Sequence, residues 1–520
     1  MPADETTAPL PSTFELQAAL VAAARASGQP LLDAGRGQPN WLATEPRAGF
    51  FRLGELAVAE AAAASAQPLW GEAPPPTGIA GRITDILDGD DRLGSPFLAA
   101  AIHFGIEELG FEPDPWVHEL VRAILGAGYP TPTRMLHHLE HVMERYLVDV
   151  TGSDPGPPGR FHVFATEGGA AAMAYVFKTL QANHIVKPGD AIAITTPIFT
   201  PYLQIPVLES FGFRVVELRA AHNAPYRFDD AFLEQLLDPT IKVFFVVNPG
   251  NPDSRAIRPE KLIQLRDLVL DKRPDLVIVA DTVYATFVEG FRSTLADLPR
   301  HVICLHSFSK NYGATGNRLG FVAVHTDSIL DELLAGQPPS SRQAQSARYR
   351  SLTSDVSSLP FVSRLVADSR EVALHNIAGL STPDQVQMAM FALAYLMPSG
   401  SAYVQGTRAE LATRLDALTA PLGIAAPGGQ DSLYYALIDV LAVAQARGGR
   451  ALAEHLAQHV EPAEIPMRLA KEKGVIVLPG QIFDSRSWDV RVSMASLTAP
   501  ELTAIGTAIV EVLDSYRAGA

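Results

Sequence analysis

Short uncharged runs recur through the middle of the chain, each followed by a turn and then by residues with helical spacing. Residues 243–247 and 276–280 are apolar throughout, and 161–165 and 191–195 are apolar but for His162 and Thr195, with no regular alternation. That pattern predicts strands covered on both faces, as in a parallel sheet between helix layers. Helical spacing over 171–182 and 259–271 supplies the crossovers, so chemistry is expected where the strands end. The fold class expected is α/β, with a large domain over about 121–375. Before it, an alanine-rich helical extension is broken by Pro74-Pro75-Pro76, and the first dozen or so residues read as disordered. After it, helical stretches at 385–396 and 410–418 and a strand pair at 433–438 and 475–478 predict a small α+β domain over 376–520 that closes with the N-terminal segment. The Gln-, Ser- and Arg-rich stretch 336–350 reads as a mobile loop or an oligomer contact.

Ser307-Phe308-Ser309-Lys310 changes the picture from architecture to chemistry. A lysine flanked by hydroxyl residues, with Arg318 eight positions on and glycines between, suits an aldehyde cofactor that carries a phosphate. Lys310 would form a Schiff base with pyridoxal 5′-phosphate (PLP), with Ser307, Ser309 and Arg318 at its phosphate. Asp281 directly follows the strand 276–280, where a carboxylate can pair with the protonated ring nitrogen and keep the ring an electron sink. Asn251 and Tyr284 can donate to the ring oxygen. Alone, Asn251 also suits an Asx-turn, Asp281 a helix cap and Tyr284 a core tyrosine; in series with Lys310 the cofactor reading prevails. Gly168, Gly169 and Ala170 open a predicted helix whose free amides suit a phosphate. In the loop Thr196–Tyr202, Phe199 is a better candidate than Tyr202 for stacking on the ring.

These motifs resemble the fold-type I PLP enzymes of the aspartate aminotransferase superfamily, and most closely the bifunctional aspartate aminotransferase/decarboxylases. The likeness runs from about residue 30 to 512 and includes Gly35-Arg36-Gly37-Gln38-Pro39-Asn40-Trp41, Tyr129-Pro130-Thr131-Pro132, Thr166-Glu167-Gly168-Gly169, Gly379-Leu380-Ser381-Thr382-Pro383 and Val490-Arg491-Val492-Ser493. It implies a large domain built on a mainly parallel seven-stranded sheet. It also implies that Arg491 holds the substrate α-carboxylate in a bidentate pair, that Arg36 lies near a distal group, that Thr382 lines the pocket and that Tyr129 reaches the phosphate of a neighbouring subunit. A homodimer or higher homo-oligomer with shared active sites follows. Three positions depart from the family pattern: Asn317 replaces a tryptophan just before Arg318, Thr282 replaces an acidic residue, and Gly250 replaces a serine. Asn317 is accordingly a candidate at the substrate.

The activity so implied is Cα deprotonation of an amino acid through a quinonoid and a ketimine, leading to aspartate 4-decarboxylation, aspartate transamination or both. The alternative is a biosynthetic branch with γ-elimination and C–C bond formation, for example on S-adenosylmethionine. A more distant alternative is a PLP-binding regulator, but no basic helix-turn-helix module accompanies the motifs. With 41 basic and 57 acidic residues the net charge is −16, which opposes binding to nucleic-acid polymers or anionic membranes. Cys304 is the only cysteine, which excludes an intrachain disulfide and fits a reducing cytoplasm. Residues 1–11 do not resemble a signal peptide, and the longest uncharged run carries Pro197, Pro201 and Pro206, which disfavours a membrane helix. His137, His138 and His141 have helical spacing but no completing carboxylate motif, so a helical surface or interface is expected there and no metal.

Overall fold

The computed structural model describes residues 13–154, 156–219, 228–371, 379–425 and 431–517. The expected N-terminal disorder lies outside those residues. The chain enters through a helix, Thr13–Ala26, and a two-residue strand β1 (Leu32–Asp33). The main sheet follows: β2 (Phe161–Thr166), β3 (Ala191–Thr196), β4 (Arg214–Arg219), β5 (Ile241–Val247), β6 (Val277–Asp281), β7 (Val302–Ser307) and β8 (Gly320–His325). Their order is β2-β8-β7-β6-β5-β3-β4. Strands β4, β3, β5, β6 and β7 run parallel, while β8 is antiparallel to both of its neighbours.

The apolar runs are explained by what covers them. Along β5, Val243, Phe245 and Val247 face one helix layer, which includes Met173, Val176 and Phe177. Phe244 and Val246 face the other, with Leu262 and Leu265 of the helix Pro259–Lys272. Both faces are dry, so neither can alternate with polar residues. Each such side chain contributes about 2 kcal/mol by leaving water. The consequence for the site is positional: β5, β6 and β7 end on the same edge, at Val247, Asp281 and Ser307.

The alanine-rich segment divides. Its first helix packs on the helix Glu464–Lys473, and β1 pairs in parallel with β10 (Val475–Ile476). The helices Thr44–Ala64, Ser95–Glu107 and Pro113–Ile124 pack instead with the helix Thr382–Leu396, and Ile79–Leu87 packs on the last two of them, all within the core of the main sheet. That helix was expected with the C-terminal part, but Val386, Met388, Ala389 and Met390 are all buried against the larger core.

Two further expectations are corrected. The strand β9 (Tyr435–Asp439) does not pair with 475–478; β12 (Asp489–Ser493) lies between β9 and β11 (Leu478–Pro479), and both pairings are antiparallel. The stretch expected to be a loop at 336–350 forms the helix Pro339–Tyr349. Its polar residues have buried partners: Gln345 Nε2 donates to the Asn183 carbonyl at 3.0 Å, and the Tyr349 hydroxyl donates to Asp368 at 2.8 Å. Tertiary hydrogen bonds here override a composition that suits a loop.

His137, His138 and His141 stand on the helix His137–Thr151. The His138 ring packs 4.9 Å from that of Phe111, and its Nδ1 is 3.2 Å from Glu119. Among the described residues no cluster of histidine, cysteine and acidic side chains could hold a metal, and no helix is long and apolar enough to cross a membrane.

Candidate active site

A cavity of about 750 Å³ opens at the shared edge of β5, β6 and β7. The fold brings to its wall Lys310, Asp281, Tyr284, Asn251, Gly169, Ala170, Phe199, Ser307, Ser309, Arg318, Arg36 and Arg491. These residues come from segments up to 455 positions apart, and only the strand order unites them.

Lys310 follows β7 by three residues. Its Nζ donates to the carbonyl of Gly37 at 3.0 Å, and the Tyr434 hydroxyl donates to the same oxygen at 2.8 Å. The loop after the lysine is strapped down by the N-terminal segment. Trp41 Nε1 donates to the Asn311 carbonyl at 2.9 Å, and the Arg47 guanidinium donates to the carbonyls of Tyr312 and Gly313, also at 2.9 Å. Gly37 has to be glycine, because a Cβ there would overlap the Tyr435 hydroxyl.

Asp281 is the last residue of β6 and is buried. The Tyr202 hydroxyl donates to its Oδ2, and the Val283 amide donates to Oδ1 at 3.0 Å. Burial raises its pKa above the ordinary carboxylate value, opposed by those two bonds and by the Lys310 charge. A buried carboxylate with no hydrogen-bonded cation is completed by a cationic nitrogen. Phe199, 37 % exposed, also faces the cavity, with its ring 5.8 Å from that of Tyr202.

Deeper in the cavity, Asn251 Oδ1 accepts from Arg491 Nη1 at 3.1 Å, while Asn251 Nδ2 lies 3.5 Å from the Tyr284 hydroxyl. Arg491 sits on the central strand β12, 3 % exposed. Its Nη2 donates to the Gly35 carbonyl at 2.5 Å, and its Nε has no partner. The guanidinium lies between the rings of Tyr435 and Phe483, at 4.4 and 4.6 Å. Burial lowers its pKa, yet an arginine stays charged, and among the described residues no carboxylate forms an ion pair with it.

At the other end of the cavity, the helix Gly169–Ala182 begins with no side-chain cap, leaving its first amides free. Ser307 Oγ donates to Ser309 Oγ at 2.9 Å. Arg318 is exposed, and its guanidinium donates to the carbonyls of Thr315 and Glu167, at 3.1 and 3.5 Å. Gly168, at φ 93°, lies against it; a Cβ there would stand 2.7 Å from the Arg318 guanidinium. Free amides, two hydroxyls and an arginine without a carboxylate suit a phosphate.

Three expected residues lie elsewhere. Asn317 turns its amide to Gln387 Oε1 at 2.7 Å, so it does not reach the cavity. Tyr129, 89 % exposed, and Thr382 line a separate concavity of about 440 Å³, together with Arg122 and His118. Arg36 reaches the rim but is paired with Asp33 at 3.1 Å and is 54 % exposed. The departure at 282 has a local explanation, since Thr282 Oγ1 bonds His306 Nδ1 at 3.1 Å, and nothing in the structure explains glycine at 250. Sequence reasoning missed Gly37 and Tyr435, and ranked Tyr202 below Phe199 without seeing its bond to Asp281. Only the Gly-Arg-Gly spelling around Arg36 signalled a close backbone approach.

A family profile for aminotransferase class I and II matches residues 163–509. The bifunctional aspartate aminotransferase and L-aspartate β-decarboxylase of a Pseudomonas species is 40 % identical over 508 residues, covering 97 % of this chain and 96 % of that one. A histidinol-phosphate aminotransferase of Mycobacterium avium is 26 % identical over 300 residues, 56 % of this chain and 71 % of that one. Among solved structures, a double mutant of Thermus thermophilus aspartate aminotransferase superposes with a TM-score of 0.62 at 18 % identity, covering 99 % of this chain and 100 % of that one. An aromatic aminotransferase from Pyrococcus horikoshii gives 0.60 at 16 % identity, covering 96 % and 99 %. The chain therefore belongs to the aminotransferase class I and II family, whose members are PLP-dependent enzymes.

Proposed function

We propose that the cavity holds PLP on Lys310 and that the enzyme acts on aspartate, removing its β-carboxyl group, transferring its amino group, or both. The observation that carries the reading is the placement of three complementary groups around one cavity: the Lys310 amine, the buried Asp281 carboxylate and the unpaired Arg491 guanidinium. The residues fit the cofactor: an uncapped helix start with Ser307, Ser309 and Arg318 for its phosphate, and a buried carboxylate for its nitrogen. When bound there, PLP supplies an electron sink for the pair released at the substrate Cα.

The chain's own groups do the rest. Arg491 fixes the α-carboxylate, replacing its present contact with the Gly35 carbonyl and satisfying its free Nε. Asp281 keeps a positive charge on the group beside it, and Tyr202 keeps that carboxylate in place. Tyr284, whose pKa burial holds well above the ordinary phenol value, stays protonated and is a hydrogen-bond donor near neutral pH. Lys310, once free of its covalent partner, is the base that takes the Cα proton and returns it. Arg36 at the rim answers a second carboxylate by exchanging it for Asp33.

Tyr129 lies in a different concavity from Lys310 on its own chain, which supports a homo-oligomer in which it serves a neighbour's site. Incubating PLP-loaded protein with aspartate and following CO₂, alanine and oxaloacetate tests the activity. Borohydride reduction followed by peptide mapping tests Lys310. Lack of all products from aspartate overturns the substrate, and a label on another lysine overturns the site.

A further inference from the structure

Tyr435 opens β9 on the wall of the cavity, and it touches two of the groups given a role above, Tyr284 and Arg491. Its hydroxyl is 3.1 Å from the Tyr284 hydroxyl, and its ring lies under the Arg491 guanidinium at 4.4 Å. Its backbone amide donates to Ser254 Oγ at 2.7 Å, which ties it to the turn carrying Asn251. It is 2 % exposed. Gly37, whose carbonyl holds the Lys310 amine, has no Cβ at the point where the Tyr435 hydroxyl passes.

The hydrogen bonds around Tyr284 constrain where its single proton can go. Asn251 Oδ1 is committed to Arg491 as an acceptor, so its Nδ2 is the group that faces Tyr284, as a donor at 3.5 Å. The Tyr284 oxygen has one proton to give and can accept twice. If Tyr435 also donates to it, the Tyr284 proton is left to point into the cavity.

We propose that Tyr435 is a positioning residue with two separable parts: a hydroxyl that directs the Tyr284 proton toward the ring oxygen of the cofactor, and an aromatic face that holds the Arg491 guanidinium for the substrate carboxylate. The inference rests on the cofactor reading above. The hydroxyl and the ring act on different partners, so two substitutions separate them.

Tyr435→Phe keeps the ring and removes the donor. The visible absorption of the PLP-loaded protein is expected to titrate at a midpoint higher by about half a pH unit or more, because the Tyr284 hydroxyl, no longer polarised by a donated bond, gives a weaker hydrogen bond to a negative ring oxygen. Maleate, used as an unreactive dicarboxylate, is expected to bind within about twofold of the wild type, since the stack on Arg491 remains. Tyr435→Leu removes both parts and is expected to weaken maleate about tenfold or more, as a desolvated cation–aromatic contact is lost. Circular dichroism on both variants establishes folding, and Tyr435→Phe, which conserves volume, carries the test if the leucine variant does not fold. An unmoved midpoint in the phenylalanine variant, or equal loss of maleate binding in both variants, overturns the proposal. Failure of borohydride to label Lys310 in the wild type instead overturns the cofactor reading on which it stands.

Discussion

The Tyr202 hydroxyl donates to Oδ2 of Asp281, joining the turn after β3 to the end of β6 inside the buried half of the site. Burial raises the Asp281 pKa, and this bond is the largest of the effects that oppose the rise. Tyr202→Phe keeps the ring contact with Phe245 at 4.8 Å and removes the donor. A charge-assisted hydrogen bond of about 1.5–3 kcal/mol is lost, so kcat is expected to fall about tenfold to a hundredfold. Asp281→Asn, which removes the charge itself, is expected to fall further. Steady-state kinetics with added PLP check the order; a phenylalanine variant as impaired as the asparagine variant would show that Tyr202 does more than hold the carboxylate.

Arg491 is a buried cation that donates to the Asn251 amide oxygen and the Gly35 carbonyl. Arg491→Lys retains charge but loses the planar fork. The expected result is a rise in KM of about a hundredfold for the amino-acid substrate, corresponding to 2–3 kcal/mol of bidentate pairing. Binding of PLP to the variant should be preserved. A fall in kcat at unchanged KM would place the carboxylate elsewhere.

Gly37 and Tyr435 can be coupled in a double-mutant cycle. Gly37→Ala drives a methyl group into the Tyr435 hydroxyl and places it 3.3 Å from Lys310 Nζ. Overpacking of this kind costs about 1–3 kcal/mol, and activity is expected to fall by one to two orders of magnitude. Adding Tyr435→Phe removes the overlapping atom and should recover part of the loss. Thermal denaturation and kcat/KM on the four proteins measure the coupling, and strict additivity would deny the contact.

His306 lies behind the site, 2 % exposed, between the Tyr146 hydroxyl and Thr282 Oγ1, each at 3.1 Å. Burial lowers its pKa from 6.5 to about 3. The folded protein therefore keeps it neutral over a range in which the unfolded chain takes up a proton. Its neutral form contributes stability that is full above pH 6.5 and declines toward about pH 3. The decline is about 1.4 kcal/mol for each pH unit. Urea unfolding of apo-protein at pH 7 and pH 5 should show a larger drop for the wild type than for His306→Gln, although the variant starts lower. Equal drops would show that His306 does not titrate in this window.

The sheet was legible in the sequence because burial on both faces leaves little room for polar residues, so β2, β3, β5 and β6 appear as largely apolar runs, interrupted only by His162, Lys242 and the threonines and aspartate at the strand ends. The residues at their ends followed from position alone: Asp281 closes β6, while Asn251 and Lys310 lie three to four residues past β5 and β7. What could not be read was pairing between distant segments. Nothing local marks β12 as the centre of the second sheet, since five residues ending in Ser493 look like any short strand. The same limit hid Tyr435, whose importance comes from lying against Arg491 and Tyr284, residues 56 and 151 positions away. Asn317 shows the converse, because adjacency to Arg318 suggested a role that its bond to Gln387 denies.

The pairing of β1 with β10, Leu32 against Val475 and Asp33 against Ile476, has a consequence for biogenesis. The Gly35–Gly37 stretch that touches Arg491 and Lys310 is made about 440 residues ahead of the strand β10 on which its neighbour β1 docks. The main sheet ends at His325 and can collapse on the ribosome well before that. Competence to bind substrate is thus acquired well after the main sheet is complete, and a protein truncated before Val475 would retain that sheet with an unfinished mouth.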